Sequence, residues 1–237
     1  MADDDFDLES LATYLHLSTA QVAKLAERGQ LPGRRVAGAW RFSQAEVHHW
    51  LEERIGVSDS VELLRVEGAL DRHPTADTEK PVSIAEMLPA VAIEVPLAAR
   101  TRNSVITRMV DIAAQTGLLW DSTKMADAIR SREELYPTAL ENGAALLHPR
   151  RPLSSILGEA FLALGVTSRG IPFASSRGLL TDVFFLICSV DDRGHLRTLA
   201  RLSRLLAEPT FLDALRAAPD AEAAHTVIVE HEGKLPQ

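Results

Sequence analysis

The run Asp71-Arg-His-Pro-Thr-Ala-Asp-Thr-Glu-Lys-Pro81 holds two prolines and shows no apolar periodicity, neither the 2.0 of a strand nor the 3.6 of a helix. Such a stretch reads as an exposed linker, and 237 residues suit one large or two smaller domains. The expected division is a compact unit over residues 8–55, a linker over 56–80 and a larger domain over 82–235. Asp59–Val66 reads as a short helix inside the linker, and His73 as a solvated loop residue.

The chain is 46% hydrophobic and 24% charged, the balance of a soluble globular protein. Its formal net charge of −8 means that any contact with nucleic acid must come from a local basic patch. Cys188 is the single cysteine, so no disulfide can form within the chain, and a cytoplasmic setting is expected. It lies in the apolar run Val183–Val190, where it reads as a small buried hydrophobe. The acidic start Met-Ala-Asp-Asp-Asp lacks the features of a signal peptide, and no apolar run approaches the roughly 20 residues of a membrane span, so membrane insertion is not expected.

In the first unit Ser10 is expected to cap a short helix carrying Leu11, Ala12 and Leu15. Ser18-Thr-Ala-Gln21 is a capping box for a second helix, with Val22, Leu25 and Ala26 on one face and Gly29 past its end. Leu31–Phe42 reads as a loop and a hairpin turning near Gly38. A further box, Ser43-Gln-Ala-Glu46, starts a closing helix that buries Val47, Trp50 and Leu51. His48 and His49 beside Trp50 have no cysteines or acids at ligand spacing, so no metal is expected there. Leu11-Ala-Thr-Tyr-Leu-His-Leu-Ser18, Gly29-Gln-Leu-Pro32, Trp40-Arg-Phe42 and Val47-His-His-Trp-Leu51 together resemble the excisionase-like and MerR-like winged helix-turn-helix family. The resemblance implies a second helix in the major groove and a wing on the backbone. Gln21 and Lys24 would then face bases or phosphates, and Arg28, Arg34, Arg35 and Arg41 phosphates. Lys and Arg at 24, 28, 34, 35, 41 and 54 stand against Glu at 9, 27, 46, 52 and 53, so the same face also reads as a solvated or protein-docking surface.

Residues 82–235 intersperse helices and strands. Expected helices cover Ser83–Leu88, the run from Val105 to near Gly117, Ser122–Glu134, a long amphipathic stretch from His195, and Ala221–Glu230. Expected strands cover Val91–Val95, Ala144–Leu147, Ala160–Val166 and Asp182–Val190. This pattern is an α/β fold, and connections too short for parallel crossovers make the sheet mixed. On the long helix Leu196, Leu199, Leu202 and Leu206 are expected inward, and Arg197, Arg201 and Arg204 outward. His225 reads as a packing residue.

Two histidines frame this domain's chemistry. His148 follows a short strand-like run, and His195 opens the long helix. A helix start offers unpaired N–H donors and the positive end of a dipole, which suits a phosphoryl group held between them. The segments Ser131-Arg-Glu-Glu134, Glu141-Asn-Gly-Ala-Ala-Leu-Leu-His-Pro-Arg150 and Gly194-His-Leu-Arg-Thr-Leu-Ala-Arg-Leu202 resemble the enzyme IIA domain of the bacterial sugar phosphotransferase system, mannitol/fructose and nitrogen-regulatory class. The resemblance implies that His148 accepts a phosphoryl group from a histidine-containing phosphocarrier protein. His195 would lie beside it, with Arg132 as a partner arginine and no cofactor required. Arg150 is a second candidate for the phosphoryl oxygens. The chain departs from the family's pattern in carrying Leu147 before the histidine, where proline is usual, and Pro149 after it. Three roles follow as expectations: a phosphorylation-sensing DNA-binding regulator, a transport component passing phosphate to a IIB partner, or an interaction protein without transfer.

Overall fold

A computed structural model describes residues 5–15, 17–43, 46–47, 50, 82–135, 137–173 and 178–235. The chain divides into two compact units, Met1–Pro81 and Val82–Gln237. The linker at 56–80, Leu51, His48, His49, and Gln44 and Ala45 of the second capping box lie outside the described residues.

In the first unit β1 (Asp5–Phe6), α1 (Leu8–Leu15), α2 (Thr19–Glu27), β2 (Arg34–Val36) and β3 (Ala39–Ser43) follow in order. The three strands form an antiparallel sheet in the order β1-β3-β2. The β2–β3 hairpin turns at Ala37 and Gly38, whose φ of 49° and 84° match the doubly left-handed turn that fits strand twist. Ser18 and Gln21 form the expected capping box, and Gly29, at φ 66°, follows the end of α2. The first helix begins earlier than the sequence suggested. Asp7, not Ser10, is its cap: the Asp7 carboxylate accepts from Ser10 N at 2.8 Å, and Ser10 Oγ accepts from Asp7 N at 2.9 Å. Leu11, Val22, Leu31, Phe42 and Val47 make the small core. Trp50, in a helical position, donates its indole N–H to Gln30 O at 2.6 Å.

The second unit is a mixed α/β layer fold. Its strands β4 (Ile93–Glu94), β5 (Ala144–Leu147), β6 (Phe161–Pro172) and β7 (Leu180–Cys188) lie in the order β4-β6-β7-β5. The outer pairs are parallel and the central β6–β7 pair antiparallel. Helices α3 (Arg102–Ala114) and α4 (Ser122–Leu135) share one core with Ala145, Leu147, Ala163, Phe184, Leu186 and Cys188. Alternation along each strand turns Leu146, Leu162, Leu164, Val183, Phe185 and Ile187 to the other face, where α5 (Asp192–Leu206), α6 (Phe211–Ala217) and α7 (Ala221–Glu232) follow.

Three local expectations fail for tertiary reasons. Ser83–Leu88 forms turns rather than a helix, because Pro89 stops it and the Glu232 carboxylate takes the N–H groups of Ile84 and Ala85 at 2.7 and 2.9 Å. The Val91–Val95 strand shrinks to two residues between a 3₁₀ turn at Ala90–Ala92 and Pro96, which has no N–H to donate. Arg197 and Arg204 are buried, not outward, at 7% and 6% exposure, and Arg201 reaches Glu232 at 3.2 Å. The helix α6, which the sequence reading passed over, is tied back to the sheet by Arg216. That guanidinium contacts Asn142 O at 2.8 Å and Asp182 Oδ1 at 2.9 Å, passing over Gly143, where a Cβ would lie 2.6 Å from Nη2.

Candidate active site

The period-2 alternation of β5 sets the site. Ala144 and Leu146 face α5, and His148, two residues further, continues that row. On the neighbouring parallel strand Leu146 pairs with Phe185, so Ile187 and Ser189 extend the same row beyond the pair. The chain then turns through Asp191 into α5, and His195 stands in that helix's first turn. The two imidazoles thus meet from opposite directions, with ring centroids 4.9 Å apart and planes inclined by 55°.

Both rings are buried, and each has its Nδ1 anchored. His148 Nδ1 lies 2.8 Å from Leu146 O. A carbonyl only accepts, so Nδ1 carries the proton and the lone pair of the neutral ring is on Nε2. His195 Nδ1 lies 3.1 Å from Ser189 Oγ. Ser189 was not singled out in the sequence; the parity of Phe185 and Ile187 was the signal that placed it here.

One N–H at the start of α5 is taken by a side chain. Asp191 caps the helix, accepting from Gly194 N at 2.7 Å, and Asp192 adds a second carboxylate in the first turn. Gly194 allows that close approach, since a Cβ would stand 2.9 Å from Asp191 Oδ2. The Gly194 N–H is therefore occupied by Asp191.

Of the other candidates, Arg132 is buried in the last turn of α4 and Arg150 is exposed in the turn after His148. His225 is half-buried with Nε2 3.3 Å from Ala85 O. Burial pushes the Cys188 thiol far above its ordinary pKa, which leaves no thiolate there for chemistry. Among the described residues no group of three or more His, Cys, Asp or Glu is placed to hold a metal.

In the first unit Lys24, Arg28, Arg34 and Arg35 are exposed and Arg41 is half-buried. Arg34 is held by Asp5 at 2.7 Å, while Arg35 lies over the Trp40 ring at 5.0 Å and 3.9 Å from Glu27. Gln21 is exposed, but its side-chain oxygen is engaged by the N–H and hydroxyl of Ser18, both at 2.9 Å.

This arrangement defines a helix-turn-helix unit joined to an α/β domain built around a histidine pair. Residues 86–231, more than half of the chain, match the family described as phosphoenolpyruvate-dependent sugar phosphotransferase system, EIIA 2, and the chain belongs to that family. Residues 6–55 match a helix-turn-helix domain. The chain is 34% identical over 143 residues to the nitrogen regulatory protein of Bradyrhizobium diazoefficiens, spanning 58% of this chain and 91% of that one. It is 27% identical over 153 residues to the PTS system fructose-specific EIIABC component of Bacillus subtilis, spanning 64% of this chain and 24% of that one. The fold resembles nitrogen regulatory protein IIA-Ntr from Neisseria meningitidis, with a TM-score of 0.54 and 19% identity over 61% of this chain and 98% of that one. It also resembles enzyme IIAMTL, solved in complex with phosphorylated enzyme IIBMTL from Escherichia coli, with a TM-score of 0.51 and 14% identity over 60% of this chain and 96% of that one. Among the described residues no helix is long and apolar enough to cross a membrane.

Proposed function

We propose that His148 accepts a phosphoryl group from a histidine-containing phosphocarrier and that the helix-turn-helix unit couples this state to DNA in the cytoplasm. The observation that carries the reading is the 2.8 Å contact of His148 Nδ1 with Leu146 O beside His195. With Nδ1 carrying a proton, the neutral form of the ring has its lone pair on Nε2, which attacks phosphorus without a general base. In the transfer the donor's N–P bond breaks as the Nε2–P bond forms. The donor ring regains its lone pair, and the proton of His148 stays on Nδ1. With the Ser189 hydroxyl donating to its Nδ1, His195 carries its own proton on Nε2, as a donor to the phosphoryl oxygens. Arg132 and Arg150 are the cationic candidates for the same oxygens, and catalysis is positioning and charge stabilisation. Pro149 favours an extended backbone at His148, in keeping with a residue that ends a strand.

The test is to mix the full chain with phosphorylated carrier. Acid-labile phosphate is expected on the wild type and none on His148→Ala; an unlabelled wild type or a labelled variant would sink the reading. A gel shift with salt titration separates DNA binding from protein docking, since affinity carried by phosphate contacts falls steeply with salt. The similarity to a fructose-specific transport component supports a second reading, in which the phosphoryl group passes onward to a IIB partner. Loss of label from the phosphorylated chain on adding such a partner would support it.

A further inference from the structure

We propose that Glu133 is a positioning residue for His148, acting through Thr138 and the Leu146 backbone; the inference rests on His148 being the phosphoryl acceptor. Glu133 is 1% exposed in the last turn of α4, immediately after Arg132. Its carboxylate accepts from Thr138 N at 3.2 Å and from the Thr138 hydroxyl. Arg102, at the start of α3, donates to the same carboxylate at 3.1 Å and to the Glu133 carbonyl. That guanidinium sits 5.5 Å above the Phe173 ring, which in turn packs 5.2 Å from Phe184 of β7. The carboxylate is therefore fixed on one side by the core and on the other side fixes Thr138.

Thr138 begins a short segment that runs antiparallel beside β5. Ala139 pairs with Ala145, Leu140 N donates to Ala144 O at 2.8 Å, and Leu146 N donates to Thr138 O at 3.3 Å. Leu146 is thus gripped through its N–H by Thr138, and through its carbonyl it receives the Nδ1 proton of His148. The direction of that carbonyl decides which imidazole nitrogen is protonated and which attacks phosphorus. A buried carboxylate is a poor choice for mere stability, since apolar replacement is often neutral or stabilising. It is a good choice for orientation, because charge-assisted hydrogen bonds fix direction as well as distance. The same anchor sets the helix turn that carries Arg132.

The experiment compares full-length wild type with Glu133→Gln and Thr138→Val, using nitrogen-15 shifts of the His148 ring together with transfer kinetics from phosphorylated carrier. The wild-type ring is expected as the Nδ1–H tautomer. In both variants the Nε2–H tautomer should become populated, and the single-turnover transfer rate should fall about tenfold with the half-saturating carrier concentration unchanged. Wild-type tautomer and wild-type transfer rate in folded variants would overturn the proposal, as would a loss of rate with the tautomer unmoved. Should Glu133→Gln not fold, Thr138→Val, which removes only the hydroxyl contact, decides alone. Should the wild type take no phosphate, the phosphoryl reading fails, while the tautomer shift in the unphosphorylated protein still decides whether Glu133 positions His148.

Discussion

Among the described residues, the two units differ in whether their ion pairs include a buried carboxylate. In the first, the arginine–carboxylate pairs lie at the surface: Arg34 with Asp5 at 67% and 24% side-chain exposure, Arg35 with Glu27 at 60% and 61%. The second has surface pairs too, such as Arg130 with Asp127 at 35% and 67%, but it adds two pairs with a buried carboxylate: Arg102 with Glu133 at 29% and 1%, Arg201 with Glu232 at 12% and 9%. Exposed pairs contribute little and are screened by salt, so a phosphate can replace the carboxylate at small cost. Buried pairs cannot be exchanged, because each partner would be left uncompensated in a poor solvent. The first pattern suits a surface that takes up a polyanion. The second suits a scaffold that must hold two imidazoles in register.

The comparison is most easily broken at Glu232. Its carboxylate receives Ile84 N, Ala85 N, Ser83 Oγ and Arg201 Nε, so Glu232→Ala strands several donors at once. A loss of about 3–5 kcal/mol is expected in urea unfolding of the second unit. A loss below about 1 kcal/mol would show that water replaces the carboxylate freely and that the burial contrast has no energetic meaning.

A smaller effect is expected at Asp7, the exposed cap of α1. The Ser10 backbone N–H and then its hydroxyl hold the Asp7 carboxyl below its ordinary pKa. A carboxylate whose pKa is depressed on folding stabilises fully at neutral pH, and that contribution is lost as pH falls through the folded value. Amides of α1 should therefore lose exchange protection in acid before those of the second unit. Asp7→Asn, which keeps a capping oxygen without a titrating group, should remove that acid step. Unchanged acid sensitivity in the variant would assign it elsewhere.

What was legible in the sequence was local. The strand-like run before His148 and the helix that His195 opens follow from short-range pattern, while their pairing comes from the family resemblance. The mixed sheet follows from interspersed elements and short connections. What was not legible depends on distant partners. Glu232 reaches back to Ile84 across 148 residues and replaces an expected helix with a capped turn. Arg197 and Arg204 repeat at helical spacing like a solvated stripe, yet the fold buries that face of α5. Glu133 reads as one acid in a charged helix end until Arg102, 31 residues earlier, and Thr138 are brought to it.

The smallest expected effect is the sharpest for the comparison. Asp5→Asn removes the carboxylate that holds Arg34 and leaves the β1–β3 backbone pairing of Asp5 with Ser43 intact. Stability should change by about 0–1 kcal/mol, the worth of an exposed pair. If the wing arginine contacts a phosphate, losing its internal competitor should raise DNA affinity a few-fold at low salt, and the gain should shrink as salt rises. The order of the two readouts matters. A binding gain without a stability loss marks Asp5 as a stand-in for phosphate on an exchangeable surface. A stability loss without a binding gain marks Arg34–Asp5 as a structural pair like Arg201–Glu232, and the distinction between the two pairs would then rest on burial alone and not on use.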